Sequence, residues 1–180
     1  MVTPETAPVI IDSDNHQVFF AQLVNEWQGL PYSELAVLLA WTKALATIHQ
    51  THHWEASGDP FYGDHLLYER LYNGVSAEVD TVAEKAVGMS TAGLVCPYKQ
   101  TEQMIKILKV AYFERPGIPQ SSDLADRSLH VEYCFQKVLK CVTASLEARG
   151  ELTPGVDNML ADIADKHEQH CYLLKQRKGC

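Results

Sequence analysis

HWEASGDPFYGDHLLYERLYNGVSAEVDTVAE, residues 53–84, decides the fold. Asp59 suits an N-cap and Pro60 the first helical position, so a helix is expected from residue 60. Gly74 costs helix propensity without forbidding a helix, and the next strong stop is Gly88. Asp80 and Glu84 are spaced i, i+4, as are His65 and Glu69, so each pair shares one helical face. His53 ends the preceding segment. Two imidazoles and two carboxylates form a mixed nitrogen and oxygen set suited to Fe(II) or Zn(II).

Spacing then limits how these groups can meet. His65 and Asp80 are fifteen positions apart, so one straight helix separates them by roughly 22 Å. Metal–ligand bonds are about 2 Å long. Unless the helix breaks, the two residues can share an ion only if a second copy of the helix runs antiparallel across a two-fold axis. The stretch therefore hints at an intersubunit site in an isologous dimer.

Outward from this stretch the chain reads as helical throughout. Residues 1–12, with Pro4 and Pro8, read as a flexible tail without a basic side chain; the first Lys or Arg is Lys43. Phe20, Leu23, Val24 and Trp27 mark an amphipathic helix over 13–28, packed outside the core or on a neighbouring subunit. Pro31 opens a helix over 31–57 whose core side carries Leu35, Leu38, Leu39, Leu45 and Ile48. His49, His52 and His53 cluster at its end. His49 and His53 are spaced to hold a metal by themselves, while His52 points elsewhere and reads as surface or a hydrogen-bonding partner. The organising helix spans 60–87. Ser90 to Pro97 reads as a loop, and Thr101 as the cap of a crossover helix over 101–114. Pro116, Gly117 and Pro119 make a firm break. Ser122 is the expected cap of a helix over 122–149, stopped at Gly150; Thr153 and Pro154 open the last, over 153–177. No strand-like alternation or repeat is present.

Composition bounds the function. With 180 residues, the chain is one domain in length, and 46% hydrophobic residues can furnish a sizeable core. No apolar run reaches a membrane span and no signal peptide is visible, so a cytoplasmic protein is expected. The five cysteines show no CxxC spacing; Cys134 and Cys141 read as buried structural thiols. A net charge of −8 argues against a general nucleic-acid binder.

The ligand spacing resembles that of the Dps mini-ferritins, the DNA-binding proteins from starved cells. Their pattern is His-Trp, a His twelve positions on, an Asp fifteen further and a Glu four after that. Here those positions are His53-Trp54, His65, Asp80 and Glu84, without a gap. The resemblance is good over about 35–88, moderate from about 122 onward, and poor elsewhere. It implies an all-α, ferritin-like four-helix bundle over 13–180, with a crossover helix between helices two and three and an extra N-terminal helix. It also implies a ferroxidase. Ferrous iron would bind at His53, His65, Asp80 and Glu84 of a dimer interface, with Glu69 as a fifth ligand or a supporting group. Hydrogen peroxide would be the preferred oxidant, and a shell of twelve subunits would store the ferric mineral and protect against oxidative stress.

The resemblance further suggests iron-admitting pores lined by Glu147, Glu151, Asp157 and Asp162, where a solvated helix end is the equal alternative. Trp54 and Tyr72 read either as core packing or as acceptors of stray oxidising equivalents. His167 and His170 read as extra ligands or as hydrogen-bonded structural groups. Tyr172 stands where many relatives carry tryptophan, and the tail lacks the lysines of DNA-condensing members. Lys175, Arg177 and Lys178 are the basic exception, too few for strong DNA binding on an acidic body. Zinc at the same ligands is a further possibility. The rival functions are a DNA-compacting architectural protein, disfavoured by charge, and a plain helical interaction protein. An intrasubunit di-iron site of the large-ferritin kind calls for Glu-x-x-His, and no Glu here has a His three residues later.

Overall fold

A computed structural model describes residues 15–27, 29–113 and 123–179. The elements are α1 (His16–Asn25), α2 (Ser33–Glu55), α3 (Phe61–Met89), a short 3-10 turn (Ala92–Val95), α4 (Pro97–Leu108) running into a π turn (Lys109–Phe113), α5 (Leu124–Ala148) and α6 (Pro154–Lys178). The described residues contain no strand. The tail over 1–12, the break at Pro116, Gly117 and Pro119, and the cap at Ser122 lie outside the described residues.

Four long helices form two antiparallel pairs, α2 with α3 and α5 with α6, joined by short turns. Gly150 makes the second turn with φ of 68°, in the left-handed region that glycine enters without strain. The second pair is reached through the long crossover that carries α4. This is the ferritin-like bundle.

Local chemistry moves several expected boundaries. Asp59 and Pro60 lie in the turn before α3, and the first helical residue is Phe61. α4 begins at Pro97, four residues before Thr101, with Pro97 at the start where its missing N–H is harmless. Thr101 is no cap; it sits inside the helix and its hydroxyl donates to the Pro97 carbonyl at 2.8 Å. The expected loop over 90–97 contains the 3-10 turn, entered through Thr91, whose hydroxyl accepts from Gly93 N–H at 3.1 Å. Asp123 caps α5 by accepting from Ala125 N–H at 2.8 Å. Thr153 caps α6 by accepting from Val156 N–H at 3.3 Å.

The core is widest around α2. Every residue from Ser33 to Thr42 is buried, because α1 and α4 cover the side away from α3 and α5. A helix that is apolar on all sides is buried on all sides. α1 packs on its own chain, placing Phe19, Phe20 and Leu23, with Trp27 just beyond, in the main core. α4 clamps it there: Gln103 donates to the Leu23 carbonyl at 2.7 Å, and Lys106 pairs with Glu26 at 2.7 Å. Gln100 ties α4 to α2 by donating to the Ala36 carbonyl at 3.0 Å. The bundle end near α1 is closed by buried Glu34, which accepts from Ser145 Oγ at 2.6 Å and pairs with Arg149 at 3.3 Å.

Candidate functional site

The turn between α2 and α3 brings His53 and His65 face to face. Their ring centroids are 3.7 Å apart and the planes differ by 26°. Each ring is fixed by the other residue's backbone: His53 Nδ1 lies 2.9 Å from the His65 carbonyl, and His65 Nδ1 lies 3.2 Å from that of His53. A carbonyl only accepts, so each Nδ1 donates and Nε2 is the nitrogen left to meet a metal. Two half-buried imidazoles are thus held with their ligating nitrogens free, the arrangement that supports metal-bound histidine.

Around this pair the surface is apolar. Trp54 is 69% exposed, Tyr62 74%, Phe61 46% and Leu66 44%. Trp54 is therefore not packed in the core, and Tyr172 is likewise exposed. Tyr72 stands edge-on to His53 with centroids 5.3 Å apart. Glu69 lies one turn from His65, half-buried. Asp80 and Glu84 are exposed farther along α3, which is one continuous helix from Phe61 to Met89. One chain therefore brings together His53 and His65 but not the two carboxylates.

A second constellation lies inside the bundle, built by all four long helices. α5 supplies Glu132, α2 His49, α6 His167 and His170, and α3 Glu78, all buried. Glu132 is the hub. Its Oε1 meets His49 Nε2 at 2.8 Å and His170 Nδ1 at 3.1 Å; its Oε2 meets His167 Nδ1 at 2.6 Å. His167 reaches the other way, placing Nε2 2.8 Å from Glu78 Oε2. The network continues through Ser128, whose hydroxyl lies 3.4 Å from His49 Nδ1 and 2.6 Å from His52 Nδ1. His52 is therefore a buried hydrogen-bonding partner.

Burial sets the electrostatics of this cluster. Desolvation alone would raise the Glu132 carboxyl, but the charge of His167 and hydrogen bonds from three histidines hold it well below the usual range. Burial opposes the His167 cation, yet Glu132 and Glu78 together push it up to about 9. Desolvation lowers His49 despite its bond to Glu132.

Sequence reasoning missed Glu78 and Glu132. The search for Glu-x-x-His could not find them, because here two histidines share α6 as His-x-x-His and the carboxylates come from α3 and α5. Glu78 and Glu132 sit at apolar-face positions of their helices, between Val75 and Val82 and between Ser128 and Phe135; buried acids at such positions were the available signal. Of the pore candidates, Glu147 and Asp157 line one crevice of about 360 Å³ between α5 and α6. Glu151 accepts from Tyr32 N–H and pairs with Arg149, and Asp162 pairs with Lys166. Cys134 is buried and Cys141 partly so.

No family model matches the chain. A nutrient stress-induced DNA-binding protein of Nostoc sp. is 26% identical over 142 residues, covering 78% of this chain and 72% of the relative. Among solved structures, DpsC from Streptomyces coelicolor superposes with a TM-score of 0.63 at 16% identity, over 98% of this chain and 95% of the other. Dps from Thermosynechococcus elongatus gives 0.60 at 17% identity, over 89% and 92%. A Dps protein from Vibrio cholerae O1, described as a member of a broad superfamily of ferritin-like diiron-carboxylate proteins, gives 0.59 at 15%, over 89% and 91%. In sequence the chain is similar to the Nostoc protein, and it shares its fold with these Dps structures.

Proposed function

We propose that the protein is a Dps-like mini-ferritin with intersubunit ferroxidase sites. Ferrous iron, the substrate, binds to His53 and His65 of one subunit and to Asp80 and Glu84 of the partner subunit, with Glu69 beside His65. Hydrogen peroxide takes up the electrons, and the ferric product is stored as mineral inside a cytoplasmic shell built from twelve subunits. The observation that carries this reading is the His53–His65 pair, with both free nitrogens fixed at the edge of an exposed apolar surface. The residues here fit Fe(II) and equally Zn(II), which would compete for the same ligands.

DNA compaction, the activity in the Nostoc relative's name, is the rival reading. The basic residues of α6 count against it. Arg177 pairs with Asp64, Lys178 with Asp126, and Lys175 lies 5.5 Å from the Tyr133 ring centre. These cations are committed to their own chain, and the net charge is −8.

The test is ferrous oxidation with limiting peroxide in the wild type, His65→Ala and Asp80→Ala. Both variants should lose the fast phase. Co-expressing them should restore about a quarter of the sites, since random pairing across a two-fold axis leaves one intact site in each mixed dimer. Loss in both without recovery on mixing would refute a shared site, and an unaffected rate in either would remove that residue from the chemistry.

A further inference from the structure

The cluster in the bundle core asks for an occupant of its own. Glu78 and Glu132 are two carboxylates 2% and 0% exposed, far from bulk water. Glu78 bonds to His167 through Oε2, but its Oε1 is buried without a hydrogen-bond partner. A buried acceptor left in that state costs free energy. The groups around Glu132 are three imidazoles, the nitrogen ligands most used for Zn(II) and its neighbours.

We propose that Glu132, His167 and His170, with His49 at hand as a fourth ligand, bind one divalent transition metal of the Zn(II) or Fe(II) kind within each chain. The ligand atoms of Glu132, His167 and His170 already lie within 4.8 Å of one another. Ligands about 2 Å from a tetrahedral ion sit about 3.3 Å apart. Glu132 Oε2 lies 2.6 Å from His167 Nδ1 and Oε1 3.1 Å from His170 Nδ1, so one carboxylate already spans both imidazoles at separations near that value. Protons now held between those imidazoles and Glu132 leave to solvent as the ion enters. His167 Nε2 keeps its bond to Glu78, so Glu78 becomes the carboxylate that orients a metal-bound histidine.

Charge and access define the kind of site. Two carboxylates and neutral imidazoles balance one dication. A di-iron centre of the ferritin-like bundle draws on a Glu from each of two helices and Glu-x-x-His from the other two; this cluster has half those carboxylates. His49 and His167 are fully buried and His170 is 8% exposed, so the ion would be largely shielded from solvent and would tie the four helices together. The site is separate from the proposed ferroxidase ligands and does not rest on that reading.

The experiment uses a His53→Ala, His65→Ala, Asp80→Ala background, in which the intersubunit ligands are gone. The protein is stripped with chelator, exposed to Zn(II) or Co(II), desalted and analysed for metal. One ion per chain should be retained, with a raised melting temperature and a tetrahedral Co(II) absorption spectrum. Glu132→Gln in this background should abolish retention, and Glu78→Gln should weaken it about 10–100-fold. No retained metal and no melting shift would overturn the proposal. If Glu132→Gln fails to fold, X-ray absorption on the background protein decides. Scattering from two or more imidazoles upholds the site, and a shell of oxygens alone overturns it.

Discussion

Glu132 is the hub of the buried charge network. It is the common partner of His49, His167 and His170, and all four are buried. Replacing it by alanine leaves His167 with Glu78 alone and deprives two other imidazoles of their acceptor. Removing one member of a buried ion pair costs on the order of 3–5 kcal/mol, so Glu132→Ala should melt at least several degrees lower. Thermal unfolding followed by circular dichroism checks this; an unchanged midpoint would show that the cluster contributes nothing to stability. The cluster also makes stability depend on pH. The folded value of His167 is about 9, against 6.5 for a free histidine. Its stabilisation is therefore complete below about pH 6.5 and is lost as pH rises through about 9. His49 and Glu132 are both lowered, so their contributions are present at higher pH and disappear on acidification. Chelator-treated protein should lose stability between about pH 6.5 and 9, and His167→Gln should flatten that slope. An equal slope in the variant would assign the titration elsewhere. Gly74 belongs to the same site. A Cβ there would meet His170 Nε2 at 3.6 Å, an ordinary contact. Gly74→Ala should therefore fit and stabilise α3 by up to about 1 kcal/mol. It should also leave the core metal in place, because the proposed ligand is Nδ1.

Among the elements, α1 and α4 are where sequence reasoning reached least far. The heptad-like Phe20, Leu23, Val24 and Trp27 announced α1, but a single amphipathic stripe does not say which surface it will cover. That depended on Gln103, a polar residue of α4 whose side chain finds the Leu23 carbonyl eighty positions away in sequence. α4 itself was placed late because Thr101 looks like a cap, whereas Pro97 is the better start once Cys96 is extended. The α3 ligand spacing, the α5 stop at Gly150 and the α6 start at Thr153 and Pro154, by contrast, are local signals and could be read directly. The core cluster was legible only in its histidines, His49, His167 and His170, and not as a group: its members come from four helices, and no spacing within one helix encodes a junction of four. If α1 is a structural part of the bundle, Leu23→Ala should destabilise the chain by about 2–5 kcal/mol, the usual range for a buried leucine. At this size that is a fall of about 2–4 °C for each kcal/mol. A cost below the range of an exposed substitution would mean that α1 is dispensable to the single chain.

At the scale of the whole molecule, the proposed ferroxidase site requires a particular dimer. If His65 of one subunit faces Asp80 and Glu84 of the partner subunit, antiparallel copies of α3 must cross with their two-fold axis near Asn73, midway between the ligands. His65, Glu69, Tyr72, Asn73, Ser76 and Asp80 share one face of the helix, and Asn73 is exposed in the single chain. A residue on the axis meets its own copy. Helices pack with axes about 8–10 Å apart, which brings facing Cα atoms into disulfide range. Asn73→Cys should therefore form a covalent dimer on mild oxidation, seen on a non-reducing gel, while the wild type with its own cysteines should not. Tyr62→Cys is the control. Tyr62 is 74% exposed, but it lies eleven positions from the axis, so its two copies stand about 33 Å apart. Cross-linking at Asn73 and not at Tyr62 fixes both the antiparallel orientation and the register that the ligand spacing demands. The reverse pattern would place the two-fold elsewhere and separate His65 from the carboxylates, leaving the intersubunit site without its second half.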